Sequence, residues 1–246
     1  MLFGEIPLSD AEGAILAHSV KMTNAIFKKG RVLSARDIST LEADLVLTVI
    51  AARLEVTDVG EDEAARRIAA ALAGEGLRAG PAFTGRANLI ADIPGLLTFE
   101  RDVIERINLV HEALTVATLA EFELVENGGL VATIKVIPFA APASAVAEIE
   151  DIAQAMAVVP FISKTAGLIQ SRLSHTKESI LDKTANVTRS RMERYSGSLG
   201  SELRCAHDAA QIARAILEVA EETEIILIAG ASAITDRRDV IPAAIE

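Results

Sequence analysis

Apolar residues recur along this chain at two spacings, which separate stretches that read as helix from stretches that read as strand. Ile38, Leu41 and Leu45 fall at helical intervals after Ser34 and Asp37, a pair expected at a capped helix start. Ala64, Ala65, Ile68 and Leu72 repeat the pattern after Asp58 and Glu61, and Gly74 and Gly76 close that helix. The Gly- and Pro-rich run GPAFTGRANLIADIPGLL reads as strands and turns, and Val103, Ile107 and Val110 mark a third helix. Phe122 and Leu124 alternate with Glu121, Glu123 and Glu126, so a half-buried strand is expected there. Asn127-Gly128-Gly129 would turn it into LVATIKVIPF as a hairpin partner. AAPASAVAE reads as a linker or the start of a helix and places a domain boundary near residues 140–155.

Beyond that boundary the order is strand, helix, helix, strand, helix. AGLIQSRL is a strand, and Thr184 to Tyr195 a helix closed by Gly197. His207 to Glu222 is an amphipathic helix with Ile212, Ala213, Ile216, Leu217 and Ala220 inward. EIILIAG is apolar after its first residue, as expected of a central strand in a parallel sheet, and a further helix begins at DVIPAAIE. Alternating strands and helices predict an α/β fold class. A smaller α+β domain over residues 1–150 precedes a parallel-sheet domain over 151–246.

Half of the residues are apolar but only 3% are aromatic, so Ala, Val, Ile and Leu must fill the core. A net charge of −11 argues against a broad nucleic-acid surface, which needs surplus Lys and Arg. One cysteine, Cys205, excludes an intramolecular disulfide. No apolar run reaches the roughly 18 residues of a membrane span, and MLFGEIPLSD does not read as a signal peptide. A cytoplasmic protein, with neither nucleic acid nor membrane as partner, is expected.

The richest segment is LIAGASAITDRRDVIPAAIE. A buried strand runs into the small residues Ala229 to Ala233, followed by Asp236, Arg237, Arg238 and Asp239 and then a helix. Ligands of open α/β sheets bind beyond the carboxyl ends of strands, which is where this loop falls. Small side chains let backbone N–H groups approach a phosphate, an arginine can pair with it, and a carboxylate can hold Mg²⁺ or orient a hydroxyl. A plain strand-to-helix loop, with Asp239 as an N-cap, is the bland alternative.

This segment resembles the signature loop of the molybdopterin-binding fold of molybdopterin adenylyltransferases and molybdotransferases, where a Gly-rich loop leads to R-D-V-T-P. Arg238-Asp239-Val240-Ile241-Pro242 follows that ending. LIQSRLSHTKESILDKT is similar to the family's first strand, S-D-R-type loop and helix start, and Arg204 to Asp208 to its segment ending in P-D. IPLSDAEGAILAHSV and KKGRVLSARDISTLEA resemble the opening of molybdotransferases. TGRANL and ATIKVIPFA resemble a bacterial group whose second half, a nucleotidyltransferase, is absent here. In this chain Ala229-Gly230 replaces the paired glycines, and Ser232 or Ala233 the later one.

The resemblance implies a three-layer molybdopterin-binding domain in molybdenum cofactor biosynthesis, with molybdopterin or molybdenum cofactor as ligand and Mg²⁺ and ATP or CTP as companions. It assigns Asp208 and Asp239 to catalysis, with Asp239 also the metal carboxylate. It assigns Ser171, Arg172, Asp182, Gly230, Ser232, Asp236 and Arg238 to cofactor binding. Two roles follow: nucleotidyl or molybdate transfer, or a binding module serving a nucleotidyltransferase partner, fused or separate. Because the family continues beyond the helix at DVIPAAIE, the sheet is expected to be incomplete at Glu246 and covered in a homo-oligomer. Asp208 and Asp239 are expected at the ends of neighbouring strands, facing one pocket. His18, His111, His175 and His207 lack metal-ligand spacing and read as structural or surface residues. Cys205 reads as a small buried residue, Glu61 to Glu63 as a favourable first helical turn, and Lys28 to Arg31 as a solvated loop.

Overall fold

The structure is a computed structural model that describes residues 1–152 and 156–246. The chain divides into two compact units, Met1–Pro160 and Phe161–Glu246. The boundary expected near 140–155 runs partly over 153–155, outside the described residues. Helices and strands mix in both units, an α/β composition. Among the described residues no helix is long and apolar enough to cross a membrane.

The N-terminal unit builds two cores. In the first, strand β1 (Leu2–Pro7), helix α1 (Ala35–Ala43) and strand β2 (Thr48–Arg53) enclose Leu8, Leu16, Leu33, Leu41 and Ala51. β1 and β2 pair antiparallel. The capping box forms as expected: Ser34 Oγ accepts from the Asp37 amide at 3.3 Å and Asp37 Oδ2 from the Ser34 amide at 3.1 Å. Asp37 is only 5% exposed and also takes a two-bond ion pair from Arg31 at 2.7 and 3.0 Å. That guanidinium, with the cap amide, holds the Asp37 carboxyl at about 2, below its ordinary 3.8. Its contribution is therefore complete above about pH 4 and is lost as pH falls toward 2. Asp37→Asn is expected to cost about 1–2 kcal/mol at pH 7, the range for weakened caps and charge-assisted bonds. In urea unfolding, its deficit relative to the wild type should shrink as pH falls from 4 to 2.

Leu45, expected on the inner face of α1, is instead 85% exposed at φ +62°. It occupies the left-handed position just past the helix, where its amide bonds Glu42 O and that of Val46 bonds Leu41 O.

The second core rests on helix α2 (Glu61–Leu72), whose Ala64, Ala65, Ile68 and Leu72 are fully buried. Asp58 does not cap it: the N-cap is Gly60, without a side-chain bond, and Asp58 accepts the Glu55 amide. There follow β3 (Arg86–Ala91), β4 (Gly95–Phe99), α3 (Arg101–Val110), β5 (Leu114–Thr118), β6 (Leu130–Val136), α4 (Ala143–Glu150) and β7 (Met156–Val159). One sheet runs β5, β6, β3, then Leu77–Ala79; another has β4 between Leu124–Val125 and β7. The expected hairpin between the Glu121–Glu126 stretch and LVATIKVIPF is absent. Phe122, at φ +62°, shortens the first strand to Leu124–Val125, which pairs with β4. β6 is buried on both faces from Val131 to Ile134 and lies between two shorter partners, β5 and β3.

The C-terminal unit is a three-stranded parallel sheet with three helices. Its elements are β8 (Thr165–Arg172), α5 (Glu178–Arg194), β9 (Ser198–Ala206), α6 (Ala209–Ala220), β10 (Ile225–Ala229) and α7 (Val240–Ile245). The strand order is β9, β8, β10. EIILIAG is thus an edge strand, and AGLIQSRL, buried from Ala166 to Ser171, is the central one. β9 was not expected: its polar Ser, Glu and Arg positions hide the alternation. α5 begins six residues before Thr184. On α6 the buried residues are Ile212, Ala215 and Val219, while Leu217 is 71% exposed and Ala220 is exposed.

Residues alternate between the two sheet faces. Ile169, Leu203 and Cys205 pack with Ala215 and Val219 of α6. Gln170, Glu202 and Arg204 face α5 and make a polar layer in place of an apolar one. Arg204 reaches Glu178, Asp182 and Glu202 at 2.7, 2.7 and 2.6 Å, and Gln170 Nε2 donates to Leu181 O and Glu202. Only Leu181 and Ala185 of α5 are buried. At the turn after α5, Tyr195 meets Phe161 edge-to-face, with ring centroids 5.1 Å apart.

Candidate functional site

Strand direction brings three chain segments to one edge of the C-terminal sheet. Ser171 stands at the carboxyl end of β8, His207 directly follows β9, and Ala229 to Ala233 follow β10. From β8 the chain steps to β9 on one side and then crosses to β10 on the other, so the order reverses beside β8. Ligands bind at such a reversal in open parallel sheets. A cleft of about 470 Å³ opens there, lined by Gln170, Ser171, Leu173, Lys177, Leu181 and Gly230 among others.

At this edge a single imidazole joins two hydroxyls. His207 Nδ1 lies 2.8 Å from Ser171 Oγ, and Nε2 lies 2.9 Å from Ser232 Oγ. Ser171 Oγ also accepts the Ala231 amide at 3.1 Å. Ser171 is 3% exposed, so both bonds satisfy a hydroxyl that water reaches poorly. Ser232, Ala233 and Ile234 are exposed, and their amides donate to no group among the described residues.

No residue from Ala229 to Asp239 has a left-handed backbone. The loop does not borrow the freedom of glycine. A Cβ at Gly230 would come within 2.5 Å of Ile241 Cδ1, so this glycine serves close packing of α7. The far end of the loop is stapled by Asp239. Its Oδ2 accepts from the Thr235 amide, from Thr235 Oγ1 at 2.9 Å and from the Asp236 amide at 3.0 Å. These donors, the Thr235 amide foremost, hold the Asp239 carboxyl below its ordinary range.

The residues singled out from sequence thus separate into groups. Ser171, Gly230 and Ser232 come together at the sheet edge. Arg172 pairs with Glu178 and Asp182 with Arg204, both on the α5 face. Asp236 accepts the Arg238 amide at 2.6 Å, and the Arg238 side chain is exposed. Asp208 caps α6 through the Gln211 amide at 3.0 Å. Asp208 and Asp239 follow β9 and β10, which are separated by β8 and are not neighbours, and neither lines the cleft. Among the described residues no group of three or more His, Cys, Asp or Glu side chains is placed to hold a metal ion. Asp239 Oδ2 is engaged by the N–H and O–H donors of Thr235 and Asp236.

The residue that sequence reasoning missed is His207. Metal-ligand spacing along the chain does not reveal it, because its partners come from the end of β8 and the loop after β10. The unrecognised strand β9 was the signal that would have placed it. His111 Nδ1 accepts the Ala113 amide at 3.1 Å, a structural role. Burial pushes the Cys205 thiol up, away from nucleophilic use.

A family model for a domain of unknown function (DUF8806) matches residues 5–44. No curated protein matches the chain. The matched stretch runs from β1 to the end of α1, in the N-terminal unit, and is similar to that domain over these residues alone.

Proposed function

We propose that the C-terminal unit binds molybdopterin or a related pterin at the carboxyl edge of its parallel sheet, in the service of molybdenum cofactor biosynthesis. The supporting observation is the cleft at the reversal of strand order, walled on one side by the Ala229-Gly230-Ala231 loop. Its volume falls in the range of small-molecule sites. Apolar Leu173 and Ile180, both exposed, offer surface to a flat ring, while Thr176 and Thr184 offer hydrogen bonds to its heteroatoms. The unpartnered amides of Ser232 to Ile234 suit a phosphate ester. The resemblance of residues 165–246 to the molybdopterin-binding family supplies the pterin itself, and its three-layer domain is part of the same proposal.

Both carboxylates assigned to catalysis are occupied as a helix cap and a loop staple. That favours holding the pterin for a nucleotidyltransferase partner over transfer by this chain. A fluorescent pterin phosphate titrated into the 246-residue chain is expected to bind saturably, and unsubstituted pterin more weakly. Gly230→Val, whose branched side chain crowds Ile241 Cδ1 and the Ser232 carbonyl of the loop, should weaken binding at least tenfold. Equal weak affinity of both proteins for either ligand would sink the reading.

A further inference from the structure

We infer that His207 is the positioning residue of the ligand loop, replacing with side-chain bonds the conformational control that paired glycines give to loops of this kind. The inference rests on the pterin-binding reading for its ligand, but the geometry behind it does not.

The path runs from the Ala231 amide to Ser171 Oγ, through the two nitrogens of His207, to Ser232 Oγ. Ala231 and Ser232 are consecutive, so the bonds close a ring on the loop itself. The ring ties the chain after β10 to the ends of both other strands. No left-handed residue defines the path of this loop. Something else must select one path, and the ring and the Asp239 staple are the bonds that do so. A neutral imidazole donates through one nitrogen and accepts through the other, and a hydroxyl rotates to serve either. Ser171 therefore satisfies Ala231 and His207 at once. With Ala231 and Ser232 fixed, the free amides from Ser232 to Ile234 keep one orientation before a ligand arrives. Holding a loop in its bound form removes an ordering cost from binding.

Hydrogen exchange resolved by residue, together with pterin phosphate titration, tests this on the full chain. In His207→Ala the Ala231 amide should exchange at least tenfold faster, while Thr235 and Asp236, held by Asp239, keep their rates. Affinity should fall about tenfold with the melting temperature nearly unchanged. The amide group of Asn stands near the place of Nδ1 and that of Gln near Nε2. His207→Asn should therefore restore protection of Ala231, and His207→Gln should not. Ser171→Ala should match His207→Ala, and the two together should be no worse than either alone, as for members of one network. Unchanged exchange at Ala231 in His207→Ala overturns the inference, as does faster exchange with unchanged affinity. If the wild type binds no pterin, the proposed function fails while the exchange measurements still judge the ring.

Discussion

Gly95→Val is expected to be among the most damaging single substitutions in the N-terminal unit, costing on the order of 4 kcal/mol or more. A Cβ at Gly95 would lie 2.2 Å from Val159 O and 2.9 Å from Val158 Cγ1. The first obstacle is backbone in the paired strand β7, which cannot turn aside as a side chain can. Accommodating valine requires β4 and β7 to separate, although β7 carries the fully buried Met156 and the buried Val158. Gly128→Ala provides the contrast. Nothing lies within 4 Å of its added Cβ, and only the φ of +81° opposes it. About 1 kcal/mol is expected there. Chemical denaturation of the two variants measures the difference, and comparable losses would show that the β4–β7 approach is not tight.

Arg204→Met is the second large expectation, and it concerns helix α5. Arg204 is 25% exposed at its side chain and is the cation shared by Glu178, Asp182 and Glu202, which hold it firmly in its charged form. Methionine conserves most of the packing volume and removes the charge. Three carboxylates then face one another, with Arg172 pairing only Glu178. Because α5 buries just Leu181 and Ala185, little apolar contact resists its departure. Exchange of α5 amides is expected to accelerate at least tenfold at pH 7. Lower pH should reverse the effect, since mutual repulsion raises carboxylate pKa values and protonation relieves it. Slower α5 exchange in the variant at pH 5 than at pH 7, after correction for intrinsic rates, is the diagnostic result; equal protection factors would contradict it.

The parts of this molecule that were legible in the sequence share a local cause. Ser34 and Asp37 specify a cap from three residues apart, and α2 declares itself through an unbroken apolar face. The small-residue loop after EIILIAG is recognisable as a sheet-edge loop from its neighbours alone. Illegible parts depend on partners far along the chain. α5 starts early because its sheet-facing residues, Glu178 and Asp182, are satisfied by Arg204 rather than by burial, so the apolar period is missing from its first turns. β9 hides for the same reason from the other side. The inner face of α6 was placed one position askew because Leu217 is more apolar than Ala215, yet Ala215 is the residue that packs with Ile169. Of the site, Gly230 and Ser232 are visible in the small-residue loop, while Ser171, at the end of the strand AGLIQSRL, is singled out by the resemblance alone. His207 is not, since its meaning lies in strands brought together only by folding.

The sparse aromatic content has an optical consequence. The chain has no tryptophan and one tyrosine, Tyr195, which lies in the C-terminal unit against Phe161. Tyrosine emission therefore carries a signal from that unit alone, whatever happens to the residues before Phe161. Unfolding followed by this emission and by far-ultraviolet circular dichroism, which sums over the whole chain, would separate the two units' transitions without a label. The same silence leaves the wavelengths of pterin fluorescence clear of any indole background.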